Sequence, residues 1–165
     1  MPSNHASREF PPSSLPSTAG LKRPKRLIVI VIMNVVLALF SIVALAFILT
    51  SSKFPAEIVP SHWSAAFSVL VAVAVVVSSV LALLGFPRAR WIALTMVLIF
   101  FGIIWLHSLL AALDPEGVIG VLPTDRESQK LWAGVVRTSI EIGLNLWVFL
   151  SAKTAAFFDS RRAEA

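Results

Sequence analysis

Four long apolar runs follow one another along this chain, and charge is nearly confined to the gaps between them. No residue is charged between Arg26 and Lys53, between Glu57 and Arg88, or between Arg90 and Asp114. The fourth run, from Leu131 to Ser151, carries only Arg137 and Glu141. A helix rises about 1.5 Å per residue, so roughly 20 residues cross the hydrocarbon layer of a bilayer, which is roughly 30 Å thick. Each run has about that length. The pattern predicts membrane-spanning helices at 27–49, 63–85, 91–112 and 131–151. Val-rich pieces such as "VLVAVAVVV" favour strands in water, but these runs are far longer than strands and lack a barrel wall's alternation. In lipid a segment must satisfy its own backbone, which selects the helix. The expected fold is all-α, an integral membrane four-helix up-down bundle.

Punctuation between the runs agrees. Gly85-Phe86-Pro87 ends the second, and Asp114-Pro115 the third. Pro60-Ser61 offers a cap just before Trp63. "TDRE" at 124–127 is a capping-box pattern after Pro123, so the fourth helix is expected to begin near Asp125 and to enter the membrane near Leu131. All ten prolines fall outside the four spans, which predicts continuous helices rather than the broken ones of many transporters.

Composition sharpens the class. Of the 165 residues, 57% are hydrophobic and 14% charged, with a mean hydropathy of +0.84. A soluble domain is nearer half apolar and about a quarter charged. Residues 1–26 read as a basic cytoplasmic tail whose Ser- and Pro-rich start, "MPSNHASREFPPSSLPSTAG", is expected to be disordered. "ALA" at 44–46 resembles a signal-peptidase site, but the apolar run from Leu27 is too long for a signal peptide and its polar leader too extended. Residues 152–165 read as a short cytoplasmic tail.

Charge sets the orientation. Arg8, Lys22, Arg23, Lys25 and Arg26, then Arg88 and Arg90, then Lys153, Arg161 and Arg162 all fall on one side of the predicted bundle. Lys53, Arg126 and Lys130 fall on the other, outnumbered there by Glu57, Asp114, Glu116, Asp125 and Glu127. The positive-inside rule then places both termini in the cytoplasm and the protein in the cell (inner) membrane. The formal net charge of +5 is thus mostly a topology signal. "LKRPKR" also suits anionic headgroups of the lipid bilayer. The cluster is short and abuts the membrane, so no nucleic-acid partner is expected. Trp63 and Trp132 at the outer boundary and Trp91 and Trp147 near the inner one read as interfacial anchors.

The candidate chemistry lies in the polar residues inside the spans. Arg137, Glu141 and Asn145 are spaced by four and share one helix face. By rise per residue, Arg137 sits about 9 Å inside the outer boundary and Glu141 near the midplane. His107 in the third span has the depth of Arg137, and Asn34 in the first has the depth of Asn145. The predicted contacts are therefore a His107–Arg137–Glu141 layer and an Asn34–Asn145 pair. Two roles compete for this cluster. One is a structural latch of paired charges and amide bonds. The other is a protonatable Glu141 with His107 as relay, in a small proton-coupled or anion-handling carrier. Ala74, Ser78 and Ala82 form a small-residue stripe that serves packing within the monomer or a homo-oligomer. Ser79 and Thr95 are expected to return hydrogen bonds to their own helix.

Several chemistries are excluded. The chain has no cysteine, which removes disulfide exchange and thiolate metal sites. His5, His62 and His107 lie in three separate regions and form no metal or haem set. There is no P-loop, no GxSxG and no Gly-rich nucleotide loop. Outer loops of about 13 and 18 residues are too small to fold alone. No catalytic activity, cofactor or metal is expected. The partners implied are the bilayer itself and either a second copy or another membrane protein.

"KRPKRLIVIVIMNVV" leading into the first span and "NLWVFLSAKTAAFF" closing the fourth resemble small bacterial inner-membrane proteins of four helices and no assigned activity. That resemblance carries over no functional residue. The chain departs from the four-helix thiol oxidases, which need Cys, and from the small multidrug exporters, whose essential Glu sits in the first span.

Overall fold

The computed structural model describes residues 22–51, 60–120 and 123–163. The expectation of a disordered N-terminal tail therefore lies, for residues 1–21, outside the described residues. Six helices follow in order: α1 Lys25–Thr50, α2 His62–Leu84, α3 Ala89–Leu113, α4 Pro115–Ile119, α5 Asp125–Leu150 and α6 Ala152–Ala163. Among the described residues there is no strand. Helices α1, α2, α3 and α5 are the four long apolar ones, each long enough to cross a membrane. They coincide with the four predicted spans to within a few residues, except that α5 begins at Asp125, as its cap foretold.

Local chemistry sets the ends. Ser61 Oγ accepts from the Ser64 amide at 3.3 Å and starts α2. Gly85 closes α2 in the left-handed conformation, φ 82°. Its amide donates to Ala82 O at 3.2 Å while Phe86 N donates to Leu81 O at 3.3 Å, the double bond of a Schellman turn. At α5 the Glu127 carboxylate accepts from both the amide and the hydroxyl of Thr124, each at 2.9 Å. These two donors, the backbone amide first, hold the Glu127 carboxyl below its ordinary value.

Two elements were not foreseen. After α3, Asp114 Oδ1 accepts from Gly117 N at 3.0 Å and, with Pro115 in the first turn, winds the short α4. Residues 152–163, read from the sequence as part of a tail, form α6. Ser151 takes an extended conformation that breaks α5, and its hydroxyl donates to Val148 O at 2.9 Å and accepts from the Thr154 amide at 3.4 Å. Thr154, Phe157 and Phe158 recur at helical spacing and are all buried.

The core has two parts. At one end Phe157 and Phe158 pack with Leu27, Ile30, Ala82, Ala89, Ala93 and Phe149, so α6 folds back under the bundle. Further along, Ala38 of α1, Ala72 and Val75 of α2, and Val97, Phe100 and Phe101 of α3 form a second cluster. Helix α3 packs chiefly on α5 and α2, α1 packs on α2, and α1 meets α5 more lightly. The outward faces are apolar as well: Val29, Val36, Phe40, Val43, Phe47, Leu70, Val136 and Ile140 are all exposed. No more than 33% of any of the four long helices' apolar windows is buried within the bundle.

In the small-residue stripe, Ser78 and Ala82 are buried inside the chain itself. Ser78 donates back to Val75 O at 3.2 Å. The Ser79 hydroxyl does not follow the expected pattern; it is fully buried and has no hydrogen-bond partner.

Candidate functional site: polar residues within the apolar helices

Asn145 projects from the middle of the last turns of α5 toward Asn34 of α1, and both are completely buried. The two amides exchange hydrogen bonds. Asn34 Nδ2 donates to Asn145 Oδ1 at 2.7 Å, and Asn145 Nδ2 donates to Asn34 Oδ1 at 3.2 Å. The second Asn145 N–H reaches Glu141 O, one turn back, at 2.9 Å. Both donor hydrogens of Asn145 are thus used without water. A buried amide has a desolvation penalty that only this kind of pairing removes, so the geometry fixes the rotation of α1 against α5.

One turn along the same face, Arg137 Nε donates to Glu141 Oε1 at 3.0 Å. The pair is unevenly placed. The Glu141 side chain is 14% exposed and points inward, whereas that of Arg137 is 70% exposed. Beside them, α1, α3 and α5 separate to leave a cleft of about 230 Å³, lined by Ser41, Phe100, Ile104, Thr138 and the ion pair. The Thr138 hydroxyl is occupied by Gly134 O at 2.9 Å.

His107 does not join this group. It is exposed, and among the described residues it makes no hydrogen bond or ion pair. Its depth matches Arg137, but depth is only one of two helix coordinates. What α3 presents to α5 at this level is Trp105, whose Nε1 donates to Ser139 Oγ at 2.9 Å. Two residues along a helix is a turn of roughly 200°, which carries His107 to the far side. Of the five expected residues, the structure brings Asn34 with Asn145 and Arg137 with Glu141. It leaves His107 apart.

Contacts at the opposite end of the helices were missed. Arg26 lies over the Trp147 ring at 4.7 Å. Arg90 Nε donates to Phe149 O at 2.8 Å, near the carbonyl end of α5, and its guanidinium stands 5.0 Å from Trp91. A cation is favourable where a helix presents its last carbonyls. The signal in the sequence is the coincidence of Arg and Trp at one predicted boundary, which topology and interfacial anchoring also explain.

As chemistry, the cluster offers one carboxylate already engaged by one guanidinium, the Thr138 and Ser139 hydroxyls bonded to their own helix, and two amides bonded to each other. Among the described residues no group of three or more His, Asp or Glu could hold a metal ion. Compared with protein-family models, curated proteins and solved structures, the chain matches none.

Proposed function

We propose that this chain spans the cytoplasmic (inner) membrane as a four-helix up-down bundle with both termini in the cytoplasm. In this reading it acts without catalysis, as a structural or interaction component packed against a second copy or another membrane protein. The apolar outer surface supports embedding, since in water it would be an aggregation surface. The contacts of Arg26 with Trp147, of Arg90 with Phe149 and of Phe157 with the Gly85 turn gather the basic ends at one pole, which supports the up-down order and the orientation.

The observation that carries the non-catalytic role is the reciprocal Asn34–Asn145 pair. Both donor hydrogens of Asn145 and one of Asn34 are spent on the bundle itself, and both side chains are sealed from solvent, which supports packing rather than turnover of a substrate. A second reading, a proton-coupled or anion-handling carrier, is favoured by one feature, the cleft beside Glu141 and Arg137. It would have to run without His107 as relay. Proteoliposomes decide between them. The structural reading expects no proton or anion flux above that of protein-free vesicles. Flux that disappears in Glu141→Gln would establish the carrier instead.

A further inference from the structure

We infer that the hollow between the start of α1 and the α5–α6 junction is a binding site for an anionic phosphate group. It measures about 450 Å³ and is lined by Lys25, Arg26 and Lys153 with Ser151 and Thr154. Three cations face this space, and among the described residues no carboxylate lines it. Arg26 is held in place by its stacking over Trp147 at 4.7 Å, so it need not be ordered on binding. The floor is polar and rigid: Thr154 is 1% exposed, and its hydroxyl lies 3.0 Å from that of Ser151. The first turn of α6 opens here, adding the positive end of a 12-residue helix.

Phosphate suits this set because its oxygens only accept, while lysine and arginine only donate and stay charged. The position narrows the source. The apolar run of α1 begins at Leu27 and that of α5 ends at Leu150, so the hollow stands at the headgroup level of a bilayer in the topology proposed above. Exposed Trp147 and Leu150 leave an apolar wall beside it for acyl chains. An anionic glycerophospholipid is the favoured bearer of the phosphate. A free phosphate compound shares the chemistry. Only the lipid assignment rests on the membrane reading, which reporter fusions test separately.

The test uses full-length protein in detergent and in phosphatidylcholine nanodiscs. Phosphatidylglycerol is titrated with retention read by native mass spectrometry, and inorganic phosphate is titrated with melting temperature as the readout. Each basic residue at such a surface is worth about 1 kcal/mol, or about fivefold in affinity. Lys25→Gln with Lys153→Gln should therefore weaken phosphatidylglycerol binding about 25-fold. Lys22→Gln with Arg23→Gln removes the same charge outside the hollow and should cost clearly less, because neither residue lines the space that would hold the phosphate. Lys25→Arg with Lys153→Arg should retain binding, and single Lys153→Gln, at an exposed position, gives a fivefold readout should the double Gln variant fold poorly. Hollow-specific loss with phosphatidylglycerol alone identifies the lipid, and the same loss with inorganic phosphate identifies a soluble ligand; either supports the site. Equal losses from the two neutralised pairs, or no binding of either probe, would overturn it.

Discussion

Two carboxamides sealed from solvent carry more of this structure's specificity than any apolar side chain, because an apolar contact tolerates sliding and an amide pair does not. Truncating one partner strands the other. Asn34→Ala should lose about 1–3 kcal/mol by leaving the Asn145 amide short of an acceptor, and Asn145→Ala should lose a similar amount. The double substitution should lose less than the sum, with a coupling on the order of 1 kcal/mol in a membrane setting. Unfolding in mixed detergent micelles measures all three, and strictly additive losses would mean that the pair contributes nothing as a pair. The Asn34–Asn145 contact was legible in the sequence because rise per residue gives depth, and two lone amides at one depth have few other partners. The separation of His107 was not legible, because facing depends on helix rotation, which Trp105 and the packing of α3 on α5 decide. The uneven exposure of Arg137 and Glu141 was equally out of reach, since it depends on where the cleft opens.

Helix ends were readable for a different reason: capping is local, so the residues that perform it are neighbours in sequence. Glu127 shows how far that goes. Its carboxyl is held below the ordinary 4.5 by the Thr124 amide and hydroxyl, so the deprotonated form is the one the fold binds. The start of α5 is therefore fully supported above pH 4.5 and loses that support as pH falls through the lowered value. Amide protection at residues 124–128, taken relative to the intrinsic exchange rate at each pH, should fall over that acidic window in the wild type. In Glu127→Gln the pH-dependent part of the change should vanish; an unaltered acid response would show that the box does not govern this terminus. Helix α6 was missed because its mean hydropathy is low. Even so, Thr154, Phe157, Phe158 and Arg161 stand at i, i+3, i+4 and i+7, a helical stripe that could have been read. Phe157 is 1% exposed and meets the turn at Gly85, where an added Cβ would lie 3.3 Å from its ring. Phe157→Ala should cost about 3 kcal/mol, within the usual range for a buried aromatic. Gly85→Ala should cost roughly 1–2 kcal/mol from backbone strain alone. Thermal unfolding in neutral-lipid nanodiscs checks both.

At the scale of the whole molecule, one asymmetry organises everything else. Arg26, Arg90 and Arg161 converge on one pole through contacts with Trp147, Phe149 and the Gly85 turn, while Asp114, Glu116, Asp125 and Glu127 surround the opposite helix ends. The basic pole does two physical jobs. Its arginines bond the carbonyl end of α5 and cover ring faces, and in the membrane reading proposed above its net charge resists transfer during insertion. The first job is visible in the folded chain and would be the same in either orientation. Only the second sets direction, so topology is the point at which the membrane reading is exposed to failure. A reporter fused after Ala165 or inserted at Ala89 should read cytoplasmic, and one placed within 115–122 should read external. Both signals are needed, since a bundle inserted upside down would exchange them and a chain in which α3 or α5 alone failed to cross would separate Ala89 from Ala165. Exchange would leave the fold intact and move the basic hollow to the outer leaflet, where the anionic-lipid source would lose its rationale. A cytoplasmic signal from 115–122 together with cytoplasmic signals from the other two sites would mean that α3 and α5 do not cross at all, and the four-span bundle would fall with it.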